Sequence, residues 1–392
     1  MNRLAPLPAL ILLAVLPFAH TVALRLACLG VAAMLAAPTI AREWRTLPAA
    51  PAIALWSALC VASLAWSIRP EYTASQLRNE VLYPPLAFFA LYATVRGEAA
   101  WRRCAWALAA GFVALAALAM PFLWSPTPWL EPRGLLPDVN HASTYLLLVA
   151  PVAAAFVLTG QAGHGDRVKA ALVVAAAAYV VIGWLTQNRT MWLAVPLQVA
   201  LFAALYLWRE RPPRREAIRA GMAVLTVGVA MLALFAVSSL QKTGAMPLDA
   251  QGWQENLDQS FRPQIWSLAS GLLAERPWLG HGFGREILAE PLTRGVTKEA
   301  THAHNVFFSV ALQLGVVGVA CLMVLLASLA RVCWRLIQSG DRAVRIAGMA
   351  GLCLIAGALA KGMTDDPLVR ASSLLFWALL GMLLGYARGR SG

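Results

Sequence analysis

The chain has few charged residues and little that would build a soluble globule. Only 13% of its 392 residues are charged, whereas 60% are hydrophobic. The apolar residues form long continuous runs and not the alternating pattern of a transmembrane barrel. Several runs approach or exceed the roughly 18–20 residues that cross a bilayer. These features exclude an ordinary soluble domain and predict an all-α, polytopic integral membrane protein.

Several patterns of soluble enzymes are also missing. The six cysteines form neither a disulfide framework nor a zinc pattern. The chain contains no Asp-x-Asp pair, and the GHGFG segment at 280–284 lacks the preceding strand and the Lys-Ser/Thr of a phosphate-binding loop. The net charge of +13 comes from short basic clusters between apolar runs, which is typical of orientation signals. We therefore expect no cofactor, no metal and no nucleic acid.

We place twelve predicted transmembrane helices along the chain. Their centres lie near residues 12, 31, 58, 88, 113, 151, 178, 199, 230, 317, 353 and 379. The first run leads directly into the second, so we expect no cleaved signal peptide. We interpret residues 1–392 as a single membrane domain. A long loop at 241–303, predicted to contain short helices, separates the ninth and tenth spans.

The distribution of positive charge predicts the orientation. Of the 32 Lys and Arg residues, 19 flank the side of the membrane that holds both termini, and 13 lie on the other side. Six of those 13 belong to the loop at 241–303, which counts little because long loops are translocated regardless of charge. We therefore expect cytoplasmic termini, with this loop on the outer side together with the loops SPTPWLEPRGLLPDVNHA, TQNRT and KGMTDDPLVR.

Two arginines on the outer side occupy positions suited to binding phosphate. Arg189 lies in the short TQNRT turn between two spans, so its guanidinium is held near the lipid headgroups. Arg262 precedes a proline at the start of an amphipathic helix, where free backbone N–H groups already favour an anion. The alternatives are an interfacial anchor for Arg189 and a solvated helix end for Arg262.

His304 lies where the next long span begins, with Thr301 as the predicted cap. A helix N-terminus disfavours the imidazolium, so this ring should stay neutral and able to act as a general base. The alternative is a structural histidine at a span boundary. His302 and His304 are also spaced as a possible metal pair, but the sequence offers no third ligand nearby. Asp365 and Asp366 fit a turn before proline better than a metal site.

Basic residues recur on the outer side, where positive charge is statistically disfavoured. The eight that lie there are Arg25, Arg69, Arg78, Arg133, Arg189, Arg262, Lys361 and Arg370. Together they predict an outer surface that handles polyanions, such as diphosphates or phosphorylated glycolipids.

In its motifs and their order, the chain resembles the O-antigen ligase and polymerase superfamily of bacterial envelope membrane proteins. The matching features are Arg189 in TQNRTMW, Arg262 in FRPQIW, the ERPWLGHGFG turn, the His304-Asn305 pair and QLGVVG in the next helix. The motifs cover roughly residues 130–320 and the span count covers the whole chain. Many relatives have Ser beside the first arginine, so the resemblance leaves the roles of Asn188 and Thr190 open.

The resemblance implies an inverting, metal-independent transfer of a glycan from undecaprenyl diphosphate at the periplasmic face of the bacterial inner membrane. His304 would take the proton of the acceptor hydroxyl, while Arg189 and Arg262 neutralise charge on the departing diphosphate. Further substrate contacts are expected from Arg133, Asn140 and Asn305.

An O-antigen ligase is the activity that this resemblance favours, with lipid A-core oligosaccharide as acceptor and membrane lipids as surroundings. Protein-glycosylating relatives tend to be longer and to carry an extra soluble domain, which we do not expect here. The alternatives are an O-antigen polymerase, a protein O-oligosaccharyltransferase and, from a different class, a transporter of lipid-linked glycans. A transporter would favour charges at span centres, and the sequence has few of these.

Overall fold

The computed structural model is almost entirely helical. It describes residues 7–391 apart from 126–128, 130, 161–162, 164, 245, 248, 259–260 and 297–300. Within these residues no β-strand forms, and the isolated bridge between Arg133 and Leu136 belongs to a tight turn. The predicted all-α class is therefore confirmed.

The helices follow the apolar runs of the sequence. They are α1 (Leu7–Val15), α2 (Val22–Glu43), α3 (Ala50–Ala62), α4 (Pro70–Gln76), α5 (Tyr83–Thr94), α6 (Glu98–Ala119), α7 (Val139–Leu158), α8 (Asp166–Leu185), α9 (Arg189–Glu210), α10 (Arg214–Thr243), α11 (Ala250–Asp258), α12 (Arg262–Glu275), α13 (Ala289–Gly295), α14 (Val306–Ile337), α15 (Arg342–Gly362) and α16 (Arg370–Ser391). A π-helical segment, Leu77–Leu82, joins α4 and α5 into one helical stretch.

All twelve predicted span centres fall inside helices. Among the described residues, nine helices are long and apolar enough to cross a membrane, namely α2, α6, α7, α8, α9, α10, α14, α15 and α16. The predicted first, third and fourth spans correspond to the shorter helices α1, α3 and α5. A polytopic membrane protein is thus confirmed, and the exact number of crossings stays a prediction.

Charged residues near the helix ends that we place with the termini contact one another. The ion pairs are Arg96–Glu43 at 2.6 Å, Arg388–Glu43 at 2.8 Å, Arg390–Asp341 at 2.9 Å and Arg345–Glu210 at 2.5 Å. Segments that we place on the other side also meet. The Ile68 N–H donates to the His281 carbonyl at 2.9 Å, and the Ala19 N–H donates to the Leu135 carbonyl at 2.9 Å. These contacts agree with the alternation of sides expected from the sequence.

The centre of the helical bundle is formed by α16, whose aromatic residues pack against neighbouring helices. Tyr386 stacks on Trp101 with ring centroids 4.7 Å apart, and Trp377 meets Phe88 edge to face at 5.6 Å. At the periphery, α8 and α10 leave most of their apolar side chains exposed. In a membrane, lipid would cover these surfaces. All six cysteines are buried and free, so the expected lack of disulfides is confirmed.

Candidate active site

The loop before α14 is fixed by an asparagine cap. The Asn305 side-chain oxygen accepts hydrogen bonds from two N–H groups in the first turn of α14, at 2.9 and 3.1 Å, as a good N-cap residue does. The prediction of Thr301 as the cap is therefore wrong, because the helix begins later than the apolar pattern indicated. The Asn305 amide also donates to the Met363 carbonyl at 2.9 Å. This bond joins the loop to the segment after α15, while a substrate contact by Asn305 stays a prediction.

His304 precedes this cap in a left-handed backbone conformation, with φ at 49°. Its ring lies against that of His302, with centroids 3.8 Å apart. Burial lowers the pKa of His304 to about 4, with the charge of Asp365 opposing this shift and the charges of Arg262 and Arg285 adding to it. The imidazole is therefore neutral near pH 7, and burial, more than the helix N-terminus assumed from the sequence, is the main cause.

The neighbouring His302 has both ring nitrogens engaged. Its Nδ1 lies 3.1 Å from the Thr301 hydroxyl, and its Nε2 meets the Arg285 guanidinium. A guanidinium can only donate hydrogen bonds, so Nε2 is the acceptor and its lone pair is already used. Burial, reinforced by Arg285, lowers the pKa of His302 far below its usual value. His302 is thus poorly suited to accept a proton from a substrate, which leaves His304 as the better base.

Asp365, which is distant in the sequence, lies close to both histidines in the fold. A ring nitrogen of His302, one of His304 and an oxygen of Asp365 lie within 4.8 Å of one another. The expectation that these histidines lack a nearby third metal ligand is therefore wrong. However, the charge of Arg285 already acts on both rings and that of Arg262 on His304, and these charges would repel a divalent cation. We interpret Asp365 as a countercharge to His304, and the absence of a catalytic metal stays a prediction.

Two of the eight basic residues expected to meet polyanions are instead used inside the protein. Lys361 is fully buried, and its ammonium bonds to the Ser143 and Thr144 hydroxyls at 2.7 and 2.6 Å and lies 4.0 Å from Asp365. Arg25 is 6% exposed and bonds to the backbone and side chain of the turn before α2. For Lys361 the prediction is wrong, because a fully buried charge needs internal partners, and Arg25 is likewise held by contacts within the protein.

The helix that begins with Arg262 contacts the loop that carries His302 and His304. It occupies the first position of α12, and Trp266 one turn later donates from its indole nitrogen to the Ala303 carbonyl at 2.9 Å. The Trp266 ring also stacks on Phe308, with centroids 6.2 Å apart. Burial lowers the pKa of Arg262, and the charge of Asp365 partly offsets this effect. The predicted amphipathic helix is thus present and holds its first arginine beside His304.

Arg189 opens α9, as the short TQNRT turn predicted. Asn188 caps the helix by accepting from the Met191 N–H at 3.3 Å. The Thr190 hydroxyl lies 2.5 Å from that of Thr364, which ties this turn to the segment carrying Asp365. These contacts give Asn188 and Thr190 structural roles that the resemblance had left open. Arg189 also lies close enough to Arg262 for their charges to interact, so the two arginines share one neighbourhood.

The backbone amides of the GHGFG turn donate to a break in α14. Gly315 has φ at 64°, which interrupts the helix and frees nearby carbonyls. The His281 N–H donates to the Leu312 carbonyl, and the Gly282 N–H donates to the Gln313 carbonyl, both at 2.9 Å. The backbone amides of this turn therefore stabilise the broken helix. This arrangement agrees with the prediction that the GHGFG segment is not a phosphate-binding loop.

The GHGFG turn also positions Arg285, a residue that the sequence analysis did not single out. Arg285 follows the last glycine, and its Nε lies 3.4 Å from an Asp366 carboxylate oxygen, while its terminal nitrogen meets His302. The same Asp366 oxygen accepts from the Ser309 hydroxyl at 2.7 Å. Burial raises the pKa of Asp366 to about 6. In the sequence Arg285 was one of six basic residues in a long loop, and nothing in its spacing set it apart.

The last two predicted substrate contacts occupy different surroundings. The Arg133 guanidinium lies 5.4 Å above the Phe122 ring, in a turn that pairs Arg133 with Leu136. Asn140 lies in the first turn of α7 and lines a cavity of about 410 Å³ that also includes Arg285 and Asp366. Through this cavity the structure brings Asn140 near Arg285, which contacts His302.

Comparisons with known proteins agree with these motifs. Residues 170–323 match a family model described as O-antigen ligase. Over 364 residues the chain is 27% identical to an O-antigen ligase of Pseudomonas aeruginosa, and the alignment covers 89% of this chain and 82% of that relative. The matched segment at 170–323 contains Arg189, Arg262 and His304. The resemblance read from the motifs is confirmed.

Proposed function

We propose that this chain, a member of the O-antigen ligase superfamily, transfers a glycan from undecaprenyl diphosphate to lipid A-core oligosaccharide. The observation that carries the proposal is the meeting of one half-buried, neutral histidine, His304, with two arginines from separate helices, Arg262 and Arg189. A base beside converging positive charge suits an attack by a hydroxyl that expels a diphosphate.

In the proposed reaction the acceptor hydroxyl loses its proton to His304 while its oxygen attacks the anomeric carbon of the donor. The bond between that carbon and the diphosphate oxygen breaks, and the configuration at the carbon inverts. Arg189 and Arg262 stabilise the negative charge that grows on the leaving diphosphate. Asp365 favours the charged form of His304, so it stabilises the imidazolium that proton transfer creates.

The proposed setting is the periplasmic face of the bacterial inner membrane, with both termini cytoplasmic. The loop at 241–303, the TQNRT turn and the segment with Asp365 would then face the lipid-linked donor together. We also propose that no metal participates, because arginines already supply the positive charge. Transfer by purified protein should therefore survive EDTA and dialysis. Loss of transfer with EDTA and recovery with Mg²⁺ or Mn²⁺ would contradict this part.

The test uses a deletion strain complemented with the wild type or with His304→Ala. For a ligase, His304→Ala at normal abundance leaves long glycan chains on the carrier lipid at the outer leaflet and lipid A-core unmodified. A polymerase defect instead leaves single-unit caps on lipid A-core, and a transporter defect holds the carrier-linked glycan on the inner leaflet. Loss of glycosylated protein with normal lipopolysaccharide would indicate a protein O-oligosaccharyltransferase.

A further inference from the structure

The 410 Å³ cavity is lined by elements other than α9 and α12, the helices that carry Arg189 and Arg262. Its wall comes from α2 and the turn before it, the π-helical segment with the start of α5, the first turn of α7 and the segment from Asp366 into α16. Among the described residues that line it, none belongs to α9 or α12. Arg285 and Asp366 line the cavity and also take part in the network around His302. The cavity is therefore linked through Arg285 to His302, the neighbour of the proposed base.

Three polar atoms of lining residues are buried without a hydrogen-bond partner within the described part of the chain. They are Asn140 Oδ1, Asp366 Oδ1 and Arg285 Nε. A buried polar atom without a partner destabilises the fold, and such atoms are rare in native proteins. Arg285 Nε makes only the 3.4 Å ion pair with Asp366. Two unpartnered acceptors beside this donor indicate a ligand with several hydroxyl groups, because a hydroxyl both donates and accepts.

The remaining wall is mixed in character. Arg25 and Arg370 contribute positive charge, Asp138 contributes negative charge, and Tyr83 and Phe18 contribute aromatic surface. This mixture of charges does not favour a diphosphate, which would require a cluster of positively charged side chains. The volume of about 410 Å³ falls in the usual range of roughly 300–1,000 Å³ for small-molecule sites. A sugar residue combines the required hydroxyl groups with apolar ring faces.

We propose that this cavity is a sugar subsite that holds the terminal residue of the acceptor glycan. Asn140 and Asp366 accept hydrogen bonds from its hydroxyls, and Arg285 donates to one of its oxygens. The proposal rests on the transferase function above. It favours the acceptor over the donor glycan because the donor diphosphate is assigned to Arg189 and Arg262, and an inverting attack requires the acceptor to approach from the opposite side of the anomeric carbon.

The test compares Asn140→Leu with Asn140→Asp, since the first removes the acceptor atom and the second keeps it at similar size. Both leave the Asn140 carbonyl, which accepts from Lys361 at 3.1 Å. The probe is delipidated core oligosaccharide, titrated calorimetrically into purified protein in nanodiscs. One lost hydrogen bond predicts a Kd about 3–10-fold higher for Asn140→Leu. Asn140→Asp should stay within about twofold of wild type.

Two controls separate this subsite from the reaction itself. His304→Ala should abolish transfer yet bind core oligosaccharide normally, and the released O-chain repeat should bind all variants alike. Equal core affinity of wild type and Asn140→Leu, or a loss confined to the donor repeat, would overturn the acceptor subsite. A wild type that binds core oligosaccharide but transfers nothing from any polyprenyl-diphosphate donor would instead refute the proposed function. Melting temperatures of all variants verify folding.

Discussion

His302 and His304 are separated by one residue, yet their partners give them different chemistry. Arg285 donates to Nε2 of His302 and occupies the lone pair that a base would need. His304 instead has the charge of Asp365 nearby, which favours the imidazolium formed in the proposed transfer. The sequence indicated His304 as the base and the two histidines together as a possible metal pair, without the contacts that separate their roles. The distinction depends on Arg285 and Asp365, which lie 17 residues before His302 and 61 residues after His304.

The pH profile of transfer follows from this environment. The folded-state pKa of His304 is about 4, well below the usual value of about 6.5, so the ring stays neutral until strong acid protonates it. We expect kcat/KM to stay high from about pH 5 to 8 and to fall as the pH drops through about 4. The measurement is kcat/KM of protein in nanodiscs, normalised to folded protein.

The control for this profile is Asp366→Asn, because burial raises the pKa of that carboxyl to about 6. The fall near pH 4 should persist in this variant if His304 is its cause. A limb near 6.5 that is present in the wild type and persists in Asp366→Asn would mean that His304 titrates as an exposed histidine, and it would contradict the assignment.

Replacement of Arg189 tests whether its guanidinium acts on the leaving group. A planar fork binds a diphosphate in two places, which a lysine point charge cannot reproduce. Loss of one transition-state contact of about 3–4 kcal/mol predicts a drop of roughly 10²–10³ in kcat for Arg189→Lys. Transfer per folded protein is the quantity to measure. The matched control is Arg294→Lys, since Arg294 is exposed and pairs with Glu290.

An interfacial anchor would give the opposite result. A lysine can extend its ammonium to the membrane surface as an arginine does, so an anchor predicts near-wild-type transfer by Arg189→Lys at equal abundance. That outcome would remove Arg189 from the proposed mechanism.

At the scale of elements, the break in α14 links two motifs that the sequence presented separately. The GHGFG turn and QLGVVG are both glycine-rich, and each alone indicates only a flexible backbone. In the fold they form one unit, since the Val316 N–H donates to the Pro277 carbonyl at 2.8 Å, and turn amides donate to carbonyls before the break. This unit places Arg285 between His302 and the cavity.

Gly315→Ala should disrupt this unit. A side chain at φ 64° is strained, and a Cβ there would lie 2.2 Å from the Trp278 carbonyl oxygen. We expect a destabilisation of at least about 1–3 kcal/mol and loss of transfer per folded protein as Arg285 shifts. The control is Gly221→Ala in α10, where an added Cβ meets nothing within 4 Å and alanine favours the helix.

Thermal unfolding in detergent and transfer in nanodiscs measure the two effects for both variants. Unchanged melting and transfer in Gly315→Ala would show that the break is not needed to position Arg285. A similar loss in Gly221→Ala would attribute the effect to general sensitivity of the helices.

The sequence predicted helices where long apolar runs impose them, and it predicted the arginines that lie at helix starts. It could not predict which polar residues near helix ends become buried, or the residue at which a helix begins. Lys361 looked like an outer-surface cation, yet the structure surrounds it with hydroxyls from α7. Thr301 looked like a cap, yet Asn305 lies directly before the helix and takes that role. The first error concerns a contact between segments distant in sequence, which local patterns do not encode. The second concerns where α14 begins, because the apolar pattern does not fix the first residue of a helix.

At the scale of the whole molecule, the ion pairs and hydrogen bonds between loops divide the helix ends into two groups. Glu43 pairs with both Arg96 and Arg388, so residues from three separate parts of the chain meet at one end. The proposed active-site elements gather with the other group, as the Thr190–Thr364 contact illustrates. One labelling experiment on each group therefore orients the entire chain.

Cysteines placed at Gln251 and at Pro213 test that orientation in a background without the six native cysteines, all of which are buried. Both positions are exposed, the first in α11 and the second just before α10. The 19 basic residues on the side of the termini predict that this side is cytoplasmic. An impermeant maleimide should therefore label Gln251→Cys in intact spheroplasts, and Pro213→Cys only after lysis. Equal labelling of both after lysis verifies reactivity and abundance. The reverse pattern would place His304, Arg262 and Arg189 in the cytoplasm and exclude a periplasmic donor.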